Sequence, residues 1–219
     1  MHLQDNISID TIYTRSTSIE RDEHSTEIVN SYIPTTRSLL TLRRLSDTLR
    51  NIDTPRAWAL IGPYGSGKSS FAVFLDHLLS KTEGSSESSA ISKISSMNEE
   101  LSNKIGKYLE NTKGFATILI TGSPEPIVPR FLKSLRSSAN IFWSKNKSKK
   151  TILIEKIDEA LSQKNTSINN AIEILDEFRF AVEKFKGAGV LIVFDELGKF
   201  LEYESRHFGV NDIYLLQML

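Results

Sequence analysis

"IGPYGSGKSSF", residues 61 to 71, has the spacing of a phosphate-binding loop. Gly62, Gly67, Lys68 and Ser69 occupy the defined positions of the pattern G-x-x-x-x-G-K-[ST]. In such a loop the glycines let successive backbone N–H groups point at one anion, and the following helix adds its positive N-terminal end. The stretch therefore predicts a binding site for nucleotide phosphates.

The residues on either side of the loop support this interpretation. "RAWALIG", residues 56–62, is a short apolar run that predicts a strand, and "KSSFAVFLDHLLS", residues 68–80, has its apolar residues at helical spacing. We expect Lys68 to reach the β- and γ-phosphates and the Ser69 hydroxyl to bind Mg²⁺. The residues expected to contact nucleotide are Gly62, Pro63, Tyr64, Gly65, Ser66, Gly67, Lys68, Ser69 and Ser70. The alternative is a chance match in a glycine turn.

A second motif follows an apolar run near the end of the chain. "FATILITG", residues 115–122, and Val190–Phe194 of "GAGVLIVFDELGKFLEY" predict two more strands, the latter apolar on both faces as in a covered parallel sheet. Asp195 follows directly and can bind the water shell of Mg²⁺. Glu196 is placed to orient or deprotonate a water that attacks the γ-phosphate. The alternative is that both carboxylates only cap the next helix.

Together the two motifs resemble the P-loop ATPases with an Asp-Glu Walker B motif, the group that contains AAA+ and STAND ATPases. Longer phrases, such as "FDELGKFLEY" and "NDIYLLQML", resemble large bacterial ATP-binding proteins, some encoded in phage-defence loci. The resemblance implies a three-layer α/β fold with a mainly parallel sheet. It also implies Mg-dependent ATP hydrolysis, with Lys68 and Glu196 as catalytic residues, Ser69 and Asp195 as Mg²⁺ ligands, and ATP and Mg²⁺ as cofactors.

The same resemblance predicts that the sheet is incomplete. In that family the strand order is 5-1-4-3-2, and too few residues follow Asp195 to supply the fourth strand between the phosphate-loop strand and the Asp195 strand. We expect an N-terminal portion of a longer protein, or strands supplied from elsewhere. The arginine finger and sensor residues would then lie outside this sequence. Arg130, Arg136 and Arg206 are interpreted as surface residues that form salt bridges or contact solvent.

The chain organisation predicted from composition is one domain preceded by an arm. Residues 1–25 are polar and are expected to form a loose N-terminal arm or an edge element rather than part of the core. Residues 26–219 are expected to form the P-loop domain. It starts with a predicted helix whose apolar residues fall at helical spacing, namely Leu39, Leu40, Leu42, Leu45 and Leu49. The serine-rich stretch at about 81–113 is expected to be a surface insertion with one exposed helix, and the region at about 125–187 is expected to be helical.

Charge and cysteine content limit the location and partners. The 219 residues include 27 basic and 27 acidic side chains, a balance that disfavours a generally basic surface for binding nucleic acid. The sequence has no cysteine, which favours a cytoplasmic protein. No apolar run is long enough to span a membrane. One local basic patch, "WSKNKSKK", brings Lys145, Lys147, Lys149 and Lys150 after Phe142 and Trp143, and it could bind DNA or be a solvated loop. Self-association and a DNA or protein partner stay open.

Three further nucleotide-dependent classes compete with the ATPase. "DELG" fits the D-x-x-G of GTPases, although an N-K-x-D motif is absent from the sequence; an L-S-G-G-Q signature of ABC ATPases is absent too. A small-molecule kinase would use the phosphate loop but would not need Glu196 to activate water. A nucleotide-gated scaffold with negligible turnover would use ATP binding to order its loops.

Overall fold

The computed structural model describes residues 15–50, 53–81, 85–144, 147–163, 166–207 and 212–219. Over these ranges the protein is mixed α/β, mostly helical, with one small parallel sheet. The helices are α1 (Thr26–Ser31), α2 (Thr36–Arg50), α3 (Lys68–Leu79), α4 (Ser85–Ser95), α5 (Glu99–Leu109), α6 (Ile127–Phe142), α7 (Lys147–Ser162), α8 (Ile168–Lys184), α9 (Gly198–Arg206) and α10 (Leu215–Met218), with a 3₁₀ turn at Asp212–Tyr214. The two strands are β1 (Phe115–Thr121) and β2 (Gly189–Asp195).

The chain divides into two compact units, which are described separately. The first contains Met1–Leu78 and Glu83–Asn103, and the second contains Leu79–Thr82 and Lys104–Leu219. The phosphate loop therefore belongs to the first unit. The Asp195–Glu196 motif belongs to the second.

Helix α3 forms much of the core of the first unit. Its residues 71–78 are all buried, and the ring of Tyr32 packs on Phe74 with 4.6 Å between ring centroids. In α2, Leu42 is completely buried, in agreement with the predicted helix. The expectation that residues 1–25 lie outside the core is wrong for part of the described residues 15–25, because Ile19 has no exposed surface. A single apolar residue in a polar stretch gives no periodic signal, so the sequence did not reveal it.

The serine-rich stretch forms two helices, α4 and α5, rather than one exposed helix. Both helices bury apolar side chains at steps of four residues. These are Ala90 and Ile94 in α4, and Leu101, Ile105 and Leu109 in α5. In α4, the Ser89 hydroxyl donates a 2.6 Å hydrogen bond to Asn30 of α1. The many serine and charged residues concealed this periodicity, because they occupy the other faces of the helices.

The sheet of the second unit is a parallel pair in which Phe115 lies opposite Gly189 and Thr121 opposite Asp195. Its core is formed by β1, α6, α7 and α8, with Phe131 and Phe178 completely buried. Strand β1 is buried along residues 115–120, but every residue of β2 is only half-buried. The predicted parallel sheet is confirmed for this pair of strands. Full coverage of β2 is not, because β1 is its sole strand neighbour among the described residues.

The strand predicted at residues 56–62 is also not formed. The structure assigns no secondary structure to this segment, and Trp58, Leu60 and Ile61 are exposed. A strand needs a neighbouring strand to satisfy its backbone N–H and C=O groups. Within the described ranges the sheet contains β1 and β2 alone, so an apolar run at this position lacks the partner that would make it a strand.

Candidate functional site

The predicted phosphate loop forms a tight turn that leads directly into α3. Gly65 and Gly67 have φ values of +76° and +79°, a region that favours glycine. The N–H of Ser66 donates to the Pro63 carbonyl, and the N–H of Phe71 donates to the Gly67 carbonyl as an early bond of the helix. Left-handed residues alternating with right-handed ones make a concave arrangement of N–H groups that binds anions. The loop is open to solvent, with Tyr64 91% exposed.

Lys68 folds back over the loop that precedes it. Its ammonium donates to the carbonyl oxygens of Gly62 at 3.0 Å and Pro63 at 2.8 Å, with a longer 3.4 Å contact to the Ser66 hydroxyl. All three acceptors are neutral, so phosphate oxygens, which are charged, would form stronger hydrogen bonds with the same ammonium. The Lys68 ammonium therefore lies against residues 62–66 of the loop.

The helix that carries Lys68 is contacted by a residue that the sequence analysis did not identify. The hydroxyl of Thr17 lies 3.1 Å from the hydroxyl of Ser70, within hydrogen-bond distance. Ser69 and Ser70 are both half-buried at the start of α3. An isolated threonine in a polar stretch carries no motif signal, so this contact requires the three-dimensional structure. The Ser70 hydroxyl is thus engaged by the N-terminal residues.

The second predicted motif, Asp195–Glu196, lies where both strands of the sheet end. Asp195 is the last residue of β2 and lies opposite Thr121, the last residue of β1. The Asp195 carboxylate accepts a 3.0 Å hydrogen bond from the N–H of Glu196. Glu196 itself has a φ of +54°, a left-handed conformation that costs a residue with a side chain about 1–3 kcal/mol. Strain of this kind concentrates at functional sites.

Gly122 makes this conformation possible. A Cβ at position 122 would lie 2.1 Å from the carbonyl oxygen of Glu196 and 3.2 Å from that of Asp195. Since no side chain fits this space, the residue after β1 must be glycine for the two chain segments to approach so closely. A glycine directly after a predicted strand is the sequence signal that could have identified the close approach.

Neither acidic residue is the cap of the following helix. Helix α9 has Leu197 at its N-cap position, with no side-chain hydrogen bond there. The Glu196 carboxylate instead accepts a 2.6 Å hydrogen bond from the ammonium of Lys199 in the first turn of α9. The capping alternative therefore does not explain the two carboxylates. The closeness of Lys199 to Glu196 in the sequence is the signal that indicates their pairing.

A metal ion would need ligands beyond the protein carboxylates. Among the described residues there is no group of three or more His, Asp or Glu side chains that could hold a metal. Mg²⁺ usually takes one or two protein ligands together with waters and substrate phosphates. Ser69 and Asp195, the two ligands predicted from the sequence, lie in the first turn of α3 and at the end of β2.

The three arginines interpreted as surface salt-bridge residues do form ion pairs. Arg136 binds Asp158 at 2.7 Å, Arg206 binds Glu202 on α9, and Arg130 lies 3.8 Å from Glu125. The Arg136–Asp158 pair is bidentate and raises the pKa of the guanidinium. These contacts confirm the interpretation of all three as salt-bridge residues.

The aromatic part of the basic patch is in the core. Trp143 is 4% exposed, and its ring meets Phe142, Phe178 and Phe185 edge to face at 5.2, 5.5 and 6.0 Å between centroids. It therefore cannot stack on a base, which corrects the aromatic part of the DNA hypothesis.

The lysines of the basic patch are described only in part. Lys145 lies outside the described residues, and the backbone of Lys147, Lys149 and Lys150 is in the first turn of α7.

Comparisons with protein-family models, curated proteins and solved structures gave no match for this chain. Along the described stretches, no helix is both long enough and apolar enough to cross a lipid bilayer.

Proposed function

We propose that this chain binds ATP through residues 62–70 and hydrolyses it with Mg²⁺, as the ATPase module of a cytoplasmic protein. The observation that carries the proposal is the conformation of the phosphate loop, with Gly65 and Gly67 left-handed and Lys68 at the start of a 12-residue helix. A loop of this kind presents backbone N–H groups, a helix N-terminus and an ammonium to one anion. That combination suits the phosphates of a nucleotide.

The Asp195–Glu196 motif would supply the two carboxylates that ATP hydrolysis needs. Asp195 and Glu196 stand at the carboxyl end of a parallel strand, which is where ligands bind in parallel α/β sheets. Ser69 and Asp195 would hold Mg²⁺, Asp195 through the water shell of the ion, and the ion would neutralise charge on the phosphates. Glu196 orients the attacking water and takes up its proton. The corresponding fold is a three-layer P-loop domain, and the parallel pairing of β1 with β2 supports it.

Thermal unfolding of the chain with MgATP, with MgGTP and without nucleotide tests the binding step. Ligand at about a hundred times its dissociation constant adds about 2.7 kcal/mol to the free energy of unfolding. The Lys68→Ala variant should lose this stabilisation, and Lys107→Ala, an exposed lysine of α5, is the matched control. Stabilisation by MgGTP alone would favour the GTPase alternative. No stabilisation by either nucleotide would contradict the proposal for this chain.

Hydrolysis is tested by phosphate release from MgATP in wild type and Glu196→Gln. We expect the variant to keep MgATP binding and to lose turnover, because an amide cannot accept the proton of the attacking water. Unchanged turnover in Glu196→Gln would contradict the assigned role of this residue.

One observation favours a second candidate, a nucleotide-gated scaffold with negligible turnover. The ammonium of Lys199 binds one oxygen of the Glu196 carboxylate, so that oxygen does not bind a water while the pair is closed. Single-turnover measurements with excess protein separate the two candidates, since a scaffold would leave bound ATP intact.

A further inference from the structure

We infer that Lys199 is a positioning residue that restrains Glu196 and thereby slows ATP hydrolysis, an inference that rests on the proposed function. Lys199 provides the ammonium 2.6 Å from one carboxylate oxygen of Glu196. Among the described residues it is the side chain that hydrogen-bonds this carboxylate. The pair thus sets where the carboxylate points in the structure.

The backbone around Glu196 makes the pair effective. Glu196 has a φ of +54°, and its carbonyl oxygen lies so close to Gly122 that a Cβ there would be 2.1 Å away. The N–H of Lys199 also donates to the Glu196 carbonyl at 3.0 Å, which brings the first turn of α9 next to the end of β2. Backbone and side chain together therefore direct the carboxylate toward α9.

The pair is weak enough to open. The Lys199 and Glu196 side chains are 51% and 44% exposed, and exposed ion pairs contribute about 0.2–1 kcal/mol because water and salt screen them. When the pair is closed, one carboxylate oxygen is occupied by the ammonium. When it opens, both oxygens can bind water. The pair therefore reduces the fraction of molecules in which both oxygens of the Glu196 carboxylate can contact the attacking water.

The test compares kcat and KM for MgATP in wild type, Lys199→Met and Lys199→Arg. Methionine keeps the length and apolar stem of the side chain without its charge, and arginine restores the charge. We expect Lys199→Met to raise kcat about two- to fivefold with KM unchanged, as removal of a weak exposed pair allows. Lys199→Arg should stay near wild type. The control is Arg206→Met, which breaks the exposed pair with Glu202 on the same helix without touching Glu196.

Salt provides a readout that a purely structural role would not change. Raising NaCl from about 0.05 M to about 0.5 M screens exposed pairs, so the kcat ratio of Lys199→Met to wild type should fall toward one. An unchanged or lower kcat in Lys199→Met, with wild type active, would overturn the inference and leave the ATPase proposal standing. If wild type and Lys199→Met both bind MgATP and neither hydrolyses it, the ATPase proposal fails and the inference fails with it.

Discussion

The N–H of Gly122 donates a 2.8 Å hydrogen bond to the carbonyl oxygen of Asp195, and Gly122 has no room for a side chain because Glu196 lies against it. We predict that Gly122→Ala displaces the Asp195–Glu196 turn and lowers the free energy of unfolding by about 1–3 kcal/mol, as overpacking commonly does. The measurement is urea unfolding. Gly106→Ala is the control: a Cβ there meets no atom within 4 Å, and alanine stabilises a helix interior by about 0.5–1 kcal/mol.

Conformation, rather than available space, limits substitution at Gly67. A Cβ there meets nothing within 4 Å, but φ is +79°, which costs an L-residue about 1–2 kcal/mol. We predict that Gly67→Ala weakens MgATP binding tenfold or more, because the residue leaves the conformation that directs the N–H groups. Gly62→Ala should weaken binding less, since the contacts are with the flexible side chains of Ser66 and Lys68. Equal affinities for the two variants, measured by calorimetry, would contradict this prediction.

The burial of Trp143 predicts a stability effect rather than an effect on nucleic-acid binding. Trp143→Ala should lower the free energy of unfolding by about 3–5 kcal/mol, because it leaves a cavity among three phenylalanine rings. The control is Phe180→Ala, an aromatic residue of α8 that is 67% exposed, with an expected change within about 0.5 kcal/mol. Chemical unfolding of Trp143→Ala and Phe180→Ala measures both changes in the free energy of unfolding. A small change in Trp143→Ala would show that its ring is not part of the core.

Glu23 makes the stability of the first unit depend on pH. Burial, with a smaller contribution from Glu20, raises the pKa of Glu23 from 4.5 to about 7. The native state thus favours the protonated carboxyl of Glu23. The contribution of this carboxyl to the free energy of unfolding is complete below pH 4.5 and is lost as pH rises through about 7. A difference of this size corresponds to about 3 kcal/mol. We therefore predict that Glu23→Gln, which cannot ionise, is more stable than wild type at pH 8.

The difference in stability between wild type and Glu23→Gln isolates the contribution of the Glu23 carboxyl. Burial lowers the pKa of His77, which gives the opposite slope, with stability lost as pH falls below 6.5. Because wild type and Glu23→Gln share His77, its contribution cancels in their difference. Thermal unfolding at pH 4, 6 and 8 provides the measurement. A difference that does not change with pH would show that the Glu23 carboxyl has no elevated pKa.

Features of this chain that depend on neighbouring residues were predictable from sequence. The phosphate loop is one, because the left-handed glycines and the start of α3 follow from residues that adjoin one another. The parallel strands β1 and β2 are another, since each is a continuous apolar run ended by polar residues.

Features that depend on distant residues were not predictable. The apolar run at 56–62 has strand character, but its state depends on whether another strand lies beside it. Trp143 next to lysines resembles a base-stacking residue until Phe178 and Phe185 enclose it. Glu196 has a left-handed backbone conformation beside Gly122, a residue 74 positions earlier in the chain, and no sequence pattern specifies that φ.

The double role of Asp195 as acceptor has a consequence for local motion. Its carbonyl oxygen binds the amide of Gly122, and its carboxylate binds the amide of Glu196. Both amides are therefore protected from hydrogen exchange by the same residue, and one opening of the strand end releases both. The ends of β1 and β2 should then exchange their protons as a single cooperative unit, so that Glu196 can reorient its backbone only when the sheet itself begins to open.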